Sequence, residues 1–202
     1  MKASLHPTKT HLINTTIAIL DEKLPNEIVV DEILDKSGIS KGSLYHHFED
    51  LAELLEHAQV ERYAQWVDKS ISGLIQLVSS VKTREDLLFG LKQATRLTQD
   101  PAISQTRYER ARAIANAEHS PRFRKALAAE QARLTDALID LIEEARNKGL
   151  YSSDFDSRAG AVFVQAYTLG KMVDDFVDEK MDPEAWYSLI DLVVDRIFLI
   201  QD

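Results

Sequence analysis

Apolar residues return every three or four positions along most of this sequence, and polar capping residues interrupt them at intervals. A period of about 3.6 residues is that of a helix with one buried face. Seven glycines and five prolines are too few for a loop-rich fold, and Ile28-Val29-Val30 is the one short β-branched run. The expected class is therefore all-α, with about nine helices.

The breaks place those helices. The first is expected from Thr8 to Asp21, with Leu12, Ile13, Thr16, Ile17 and Leu20 on one side, and Leu24-Pro25-Asn26 ends it. A second is expected over Val30 to Lys36, before Gly38, and a third over Lys41 to Phe48 behind the N-cap Ser40. Asp50 and Glu53 resemble a capping box for a long fourth helix reaching about Ser80. Thr83 with Asp86 opens a fifth, and Pro101 a sixth. Ser120-Pro121 opens a seventh, running to Lys148 and ended by Gly149. Asp156 caps an eighth, to about Lys180, and Asp182-Pro183 a ninth, to about Ile200.

The absence of cysteine excludes disulfides and thiolate metal sites. The first apolar cluster, Ile17 to Leu20, is too short for a signal peptide, and no run approaches the roughly 18 apolar residues of a membrane helix. A cytoplasmic protein without membrane contact is expected. Net charge is −9. Residues 1–57 hold five lysines, no arginine and ten carboxylates, a local charge of −5, together with five of the six histidines.

The most informative stretch is Ile33 to Leu55, ILDKSGISKGSLYHHFEDLAELL. Gly38 suits a tight turn with positive φ between two short helices. Leu44 and Phe48, four apart, share an inward face. Lys41, Gly42, Ser43, Tyr45 and His46 fall on or near the other side, close to the helix start, as in a helix that reads DNA. Two short core helices joined by a glycine turn fit the same spacing.

At these residues the sequence resembles the TetR family of bacterial transcriptional repressors. The resemblance is carried by Gly38-Ile39-Ser40, Gly42-Ser43-Leu44-Tyr45-His46-His47-Phe48 and Leu54-Leu55, with Leu12-Ile13 upstream. It implies a helix-turn-helix DNA-binding domain over residues 1–52 and a helical ligand-binding and dimerisation domain over 53–202. It also implies DNA contacts from Ser40, Lys41, Gly42, Ser43, Tyr45, His46 and His47. The sequence departs from the family at three places. Asp50-Leu51 stands where the family commonly has Ser-Lys, Ile28-Val29-Val30 fills the stretch that often carries a capping Thr or Ser, and Leu24-Pro25 replaces the usual glycine after helix one. Each lost phosphate contact weakens DNA binding and flattens its salt dependence.

Other chemistry finds little support. His46 and His47 point about 100° apart on a helix, and Glu53 with His57 is most simply a solvated pair. There is no His-Glu-x-x-His, no phosphate loop and no serine constellation. No metal, cofactor or enzymatic activity is expected.

The resemblance further implies an effector pocket among helices four to eight. Tyr63, Trp66, Phe89, Tyr108, Phe163 and Tyr167 are candidate walls, with Gln165 or Arg112 as polar anchors. Aromatic residues at helical spacing also read as plain core. Arg107, Arg110, Arg112, Arg122, Arg124 and Lys125 form a basic stretch that could attract an anionic ligand. They read more simply as solvated charge balanced by Glu109, Glu118 and Glu130. The last two helices carry wide apolar stripes. Paired across a two-fold axis, Phe163, Ala166, Gly170, Val173, Phe176, Leu189, Val193 and Ile197 would form a four-helix interface. Burial within one chain accounts for part of each stripe.

The expectation is a homodimeric, ligand-responsive transcriptional regulator, a repressor by resemblance, that binds a palindromic double-stranded DNA operator and answers to a small-molecule effector. The alternative is an all-helical ligand-binding or protein-interaction protein with reduced DNA affinity.

Overall fold

A computed structural model describes residues 6–79 and 81–199. Among them are nine helices of seven residues or more and one single-turn piece. The helices are α1 (Pro7–Leu20), α2 (Val30–Ser37), α3 (Lys41–His47), α4 (Leu51–Ser79), α5 (Arg84–Gln99), α6 (Ser104–Ala117), α7 (Pro121–Asn147), α8 (Ser157–Gly170), α9 (Met172–Asp175, one turn) and α10 (Pro183–Val193). Among the described residues none is long and apolar enough to cross a membrane.

Local chemistry sets most boundaries. Ser40, Thr83, Ser120, Asp156 and Asp182 each accept a backbone N–H of the helix they open, and Thr83 with Asp86 forms a full capping box. Pro7, Pro121 and Pro183 open their helices, where a missing N–H costs nothing. Gly38 and Gly149 stop theirs with φ of +66° and +70°. Ahead of α4, Asp50 accepts Glu53 N–H at 2.7 Å, while Glu53 reaches back to Glu49 N–H rather than to that of Asp50. Val29 caps α2 without a side-chain acceptor, and Asp31 and Glu32 face the helix dipole instead.

Two apolar clusters result. Leu12, Ile13, Ile19, Ile28, Ile33, Leu44, Phe48, Leu54 and Ala58 form the core of an N-terminal head. Tyr63, Val67, Phe123, Leu127, Leu134, Leu138 and Phe198 belong to the core of the body. The helix α4 contributes to both, so the head is mounted on a continuous rod. Within α1, Ile19 rather than Ile17 completes the fully buried side, and the buried Thr16 hydroxyl donates to Leu12 C=O.

Three helix expectations need correction. Pro101 opens a single 3-10 turn, Pro101–Ile103, and α6 begins at Ser104. The eighth helix stops at Gly170, ten residues short of Lys180. Acidic residues at 174, 175, 178 and 179 would oppose the negative end of a longer helix. Asp175 is instead drawn to Arg107 of α6 at 2.5 Å, Lys171 bonds Asp174 and Asp175, and Asp174 accepts Met181 N–H at 2.9 Å. The last helix passes at Val193 into a wider π turn over Val194–Phe198, whose Phe198 C=O accepts Ser152 N–H at 2.8 Å. The expected ends at Ser80 and Ile200 lie outside the described residues.

Candidate nucleic-acid interface and effector cleft

The short helix α3 is held by its own apolar residues. Leu44 and Phe48 are buried in the head core, and Phe48 meets His57 edge to face and carries Lys9 over its ring. Ser40, Lys41, Gly42, Tyr45 and His46 are consequently exposed, with Ser43 half-buried. His47 leans back on His6, the N-cap residue of α1, with ring centroids 4.8 Å apart. Desolvation and the neighbouring His6, His46 and Lys9 hold its pKa below the ordinary histidine value. His57, half-buried beside Glu53 at 3.6 Å, is lowered mainly by desolvation.

The head's cations are mostly engaged. Lys23 pairs with Glu32, Lys36 with Glu22 and Glu32, and Lys9 sits on Phe48. Among the described residues of the head, Lys41 is the lysine with no such partner, and it stands at the first position of α3. Leu51 packs against the head core.

Head and body are tied by two arginines. Arg62 of α4 donates to Leu20 C=O at 3.1 Å and pairs with Asp21 at 3.3 Å and with Glu109 of α6 at 2.6 Å. Arg122, at the start of α7, pairs with Glu56 at 2.7 Å and lies 3.7 Å from Glu49. Behind Arg62 a cleft of about 470 Å³ opens between the end of α1 with its following loop, α4 and α6. Tyr63, Trp66, Arg110 and Arg112 line it. A second, of about 370 Å³, lies between α4, α6 and α7, and Tyr63 borders both.

The basic stretch divides here. Arg107 is 2 % exposed and Arg110 8 % exposed, so neither is solvated, and neither pairs with Glu109, Glu118 or Glu130. Arg107 is fully satisfied by Asp175 and by Thr98 and Asp100 carbonyls. Arg110 lies over the Trp66 indole, 3.7 Å from its centroid, beside Tyr63. Desolvation lowers the Arg110 pKa. Sequence held a signal for this: Arg107 and Arg110 continue, at helical spacing, the buried stripe of Ala113 and Ala117.

The remaining candidates scatter. Phe89 is 66 % exposed, because Leu87, Leu88 and Leu91 take the inward side of α5. Tyr108 is half-buried and borders neither cleft. Gln165 lies in the body, in a chain of side-chain hydrogen bonds running from Tyr63 through Gln131 to Gln165 and Thr135. Tyr167 contacts Thr95 at 3.5 Å, and burial raises its pKa, as it does for Tyr63. Phe163 is partly exposed and packs on Tyr167 and Phe198.

Of the residues expected at a subunit interface, Phe163, Ala166, Gly170, Leu189 and Ile197 are exposed, as are Val173 at 74 % and Phe176 at 79 %. Val193 instead is half-buried against the body core. Val162, Val177 and Leu192, in the same part of the chain, are exposed as well. Gly160 belongs inside the chain, where an added Cβ would lie 2.7 Å from the Phe155 ring.

No family model matches the sequence, and no curated protein does. Solved structures match along nearly its whole length. A protein from Mesorhizobium loti assigned as a TetR-family transcriptional regulator superposes with a TM-score of 0.72 at 18 % identity, covering 96 % of this chain and 97 % of its own. Reduced NemR of E. coli gives 0.66 at 17 % identity, covering 95 % and 97 %. A transcriptional regulator from Saccharomonospora viridis, in complex with choline, gives 0.69 at 12 % identity, covering 96 % and 98 %. From the N-terminal helix-turn-helix to the helices that carry the exposed apolar face, the chain has the fold of the TetR-family transcriptional regulators.

Proposed function

We propose that this chain is a non-catalytic, ligand-responsive transcription regulator that binds a palindromic operator as a homodimer and releases it when an effector binds. The observation that carries the reading is the exposed side of α3, where Ser40, Lys41, Gly42, Tyr45 and His46 stand clear of a core anchored by Leu44 and Phe48. Residues 1–52 form the DNA-reading unit, and 53–202 the effector and dimer unit. Ser43 and His47, at the edges of that side, complete the contact set. Lys41 supplies charge for phosphate, and Tyr45 a hydroxyl and a ring.

The exposed face of α8, α9 and α10 supports the dimer. A concentration of exposed apolar residues on consecutive helices suits an interaction site, and two recognition helices one DNA turn apart need a partner chain. The rod α4 and the Arg62 and Arg122 ties support the switch. An effector that favours one placement of α6 or α7 over another biases the head through them. It can do so only by as much as its affinities for the two placements differ.

Lys41→Ala and Tyr45→Ala should each weaken specific DNA binding by about ten-fold to a hundred-fold, as loss of a direct contact does. Gel-shift titration checks this, and unchanged affinity in both variants overturns the assignment of α3 as the recognition helix.

A second reading rests on the net charge of −5 over residues 1–57 and on the engagement of Lys9, Lys23 and Lys36. It is a ligand-binding or protein-interaction protein that keeps the fold with reduced DNA affinity. Salt separates the two, since operator binding falls steeply with salt and a protein contact need show no DNA binding at any salt.

A further inference from the structure

Buried charges in proteins are almost always paired, because taking an ion out of water without a counter-charge is costly. Arg107 obeys this rule, with Asp175 against it at 2.5 Å. Arg110, one helical turn further along α6, does not. Its residue is more than nine-tenths buried, its Nε has no hydrogen-bond partner, and no carboxylate pairs with it among the described residues. Its neighbours are the Trp66 face, the Tyr63 phenol and the like charge of Arg107. Arg110 also lines the cleft of about 470 Å³ between head and body.

We propose that this cleft is an anion site whose ligand is a small organic monocarboxylate, bound through its carboxylate to Arg110 and through its apolar part to Trp66 and the Leu24-Pro25 loop. Tyr63 is the hydrogen-bonding side chain at this guanidinium and brings no counter-charge; a carboxylate brings one, and its two oxygens match the planar fork of an arginine. The rest of the lining favours a single negative charge. Asp21, Glu22, Glu27 and Glu109 border the cleft and are matched in number by Lys23, Arg62, Lys69 and Arg112, so Arg110 leaves one positive charge in excess, which a monoanion neutralises and a dianion such as phosphate oversteps. The apolar part follows from Trp66, Leu20, Leu24 and Pro25, which give the cleft its hydrocarbon surface.

The position gives the site a regulatory consequence, which rests on the function proposed above. Glu109, the neighbour of Arg110 in α6, holds Arg62, and Arg62 holds the end of α1. A carboxylate seated on Arg110 therefore touches α4, α6 and the loop behind α1 at once, the elements joined by the Arg62 tie between head and body.

The test uses the full chain without DNA. Benzoate and hexanoate are titrated by calorimetry against their neutral amides and inorganic phosphate, with wild type, Arg110→Gln and Arg112→Ala. Saturable binding of a carboxylate is expected, weakened about ten-fold to a hundred-fold in the amide and in Arg110→Gln, the size of one charge-assisted contact. Phosphate should bind more weakly than the carboxylate, and Arg112→Ala should retain binding. Thermal unfolding supplies the second readout. Arg110→Met should melt no lower than wild type without ligand, since it removes an unpaired buried charge, and benzoate and hexanoate should raise the melting temperature of wild type only. Absence of Arg110-dependent binding for both carboxylates, equal binding of the amides, tighter binding of phosphate, or a marked fall in melting temperature in Arg110→Met each overturns the site. None of these results touches the DNA reading, which fails separately if carboxylates bind but no operator does.

Discussion

Replacing Asp175 by alanine is expected to cost about 3–5 kcal/mol of stability, the range for breaking a buried ion pair from one side. For a domain of this size that lowers the melting temperature by about 6–20 °C. The cause is what remains behind. Arg107 is 2 % exposed and keeps carbonyl contacts to Thr98 and Asp100, but its charge is left in the interior with no anion. Burial by itself would raise the Asp175 carboxyl. Arg107 and Lys171 more than offset this and hold its pKa below the usual carboxylate range. The substitution also releases Lys171, which is nearly buried and then depends on Asp174 alone. Adding Arg107→Met to Asp175→Ala should recover most of the loss, because an apolar pair needs no counter-charge. Urea or thermal unfolding of wild type and these two variants checks both expectations. A single variant as stable as wild type, or a double variant no better than the single one, contradicts them.

The second large effect concerns association. Leu189→Glu is expected to convert a dimer into a monomer at micromolar concentration, raising the dissociation constant by about a thousand-fold or more. Leu189 is half exposed in the single chain, so glutamate there costs the monomer little. Across a two-fold interface the same change occurs twice, and each copy buries a carboxylate without a partner, at about 2 kcal/mol or more apiece. Sedimentation equilibrium reads the result, with circular dichroism to show that the helices persist. Operator affinity should collapse with the dimer, since half-sites bound singly lose the gain from linkage. A monomeric wild type, or a variant that still dimerises as tightly, contradicts the placement of the interface on α8, α9 and α10.

What the sequence revealed of this fold follows from how locally each feature is determined. Ser40, Thr83, Ser120-Pro121, Asp156 and Asp182-Pro183 act within one turn of the helix they open, and their spacing alone placed those starts. Gly38 and Gly149 adopt the positive φ that the turns require. The exposed side of α3 was equally legible, because Leu44 and Phe48 fix which side faces the core. The break after Gly170 was not. The acidic run at 174–179 is a local signal against a longer helix, but the contact that draws Asp175 away is with Arg107, 68 positions distant, and no local pattern announces it. The interior arginines were half legible. Their spacing continued an alanine stripe, but charge argued for solvent. For the effector pocket, aromatic residues at helical spacing cannot distinguish a cleft wall from core or surface. Tyr63 and Trp66 border a cleft, Tyr167 packs in the body, and Phe89 faces outward.

The regulatory role given to this chain presupposes that α3 reads DNA. Footprinting of the wild-type dimer on promoter fragments selected from genomic DNA, at low and then physiological salt, tests it most directly. Protection should cover two symmetric half-sites about one helical turn apart, and weaken steeply as salt rises. Uniform protection along every fragment, or none at low salt, would contradict it.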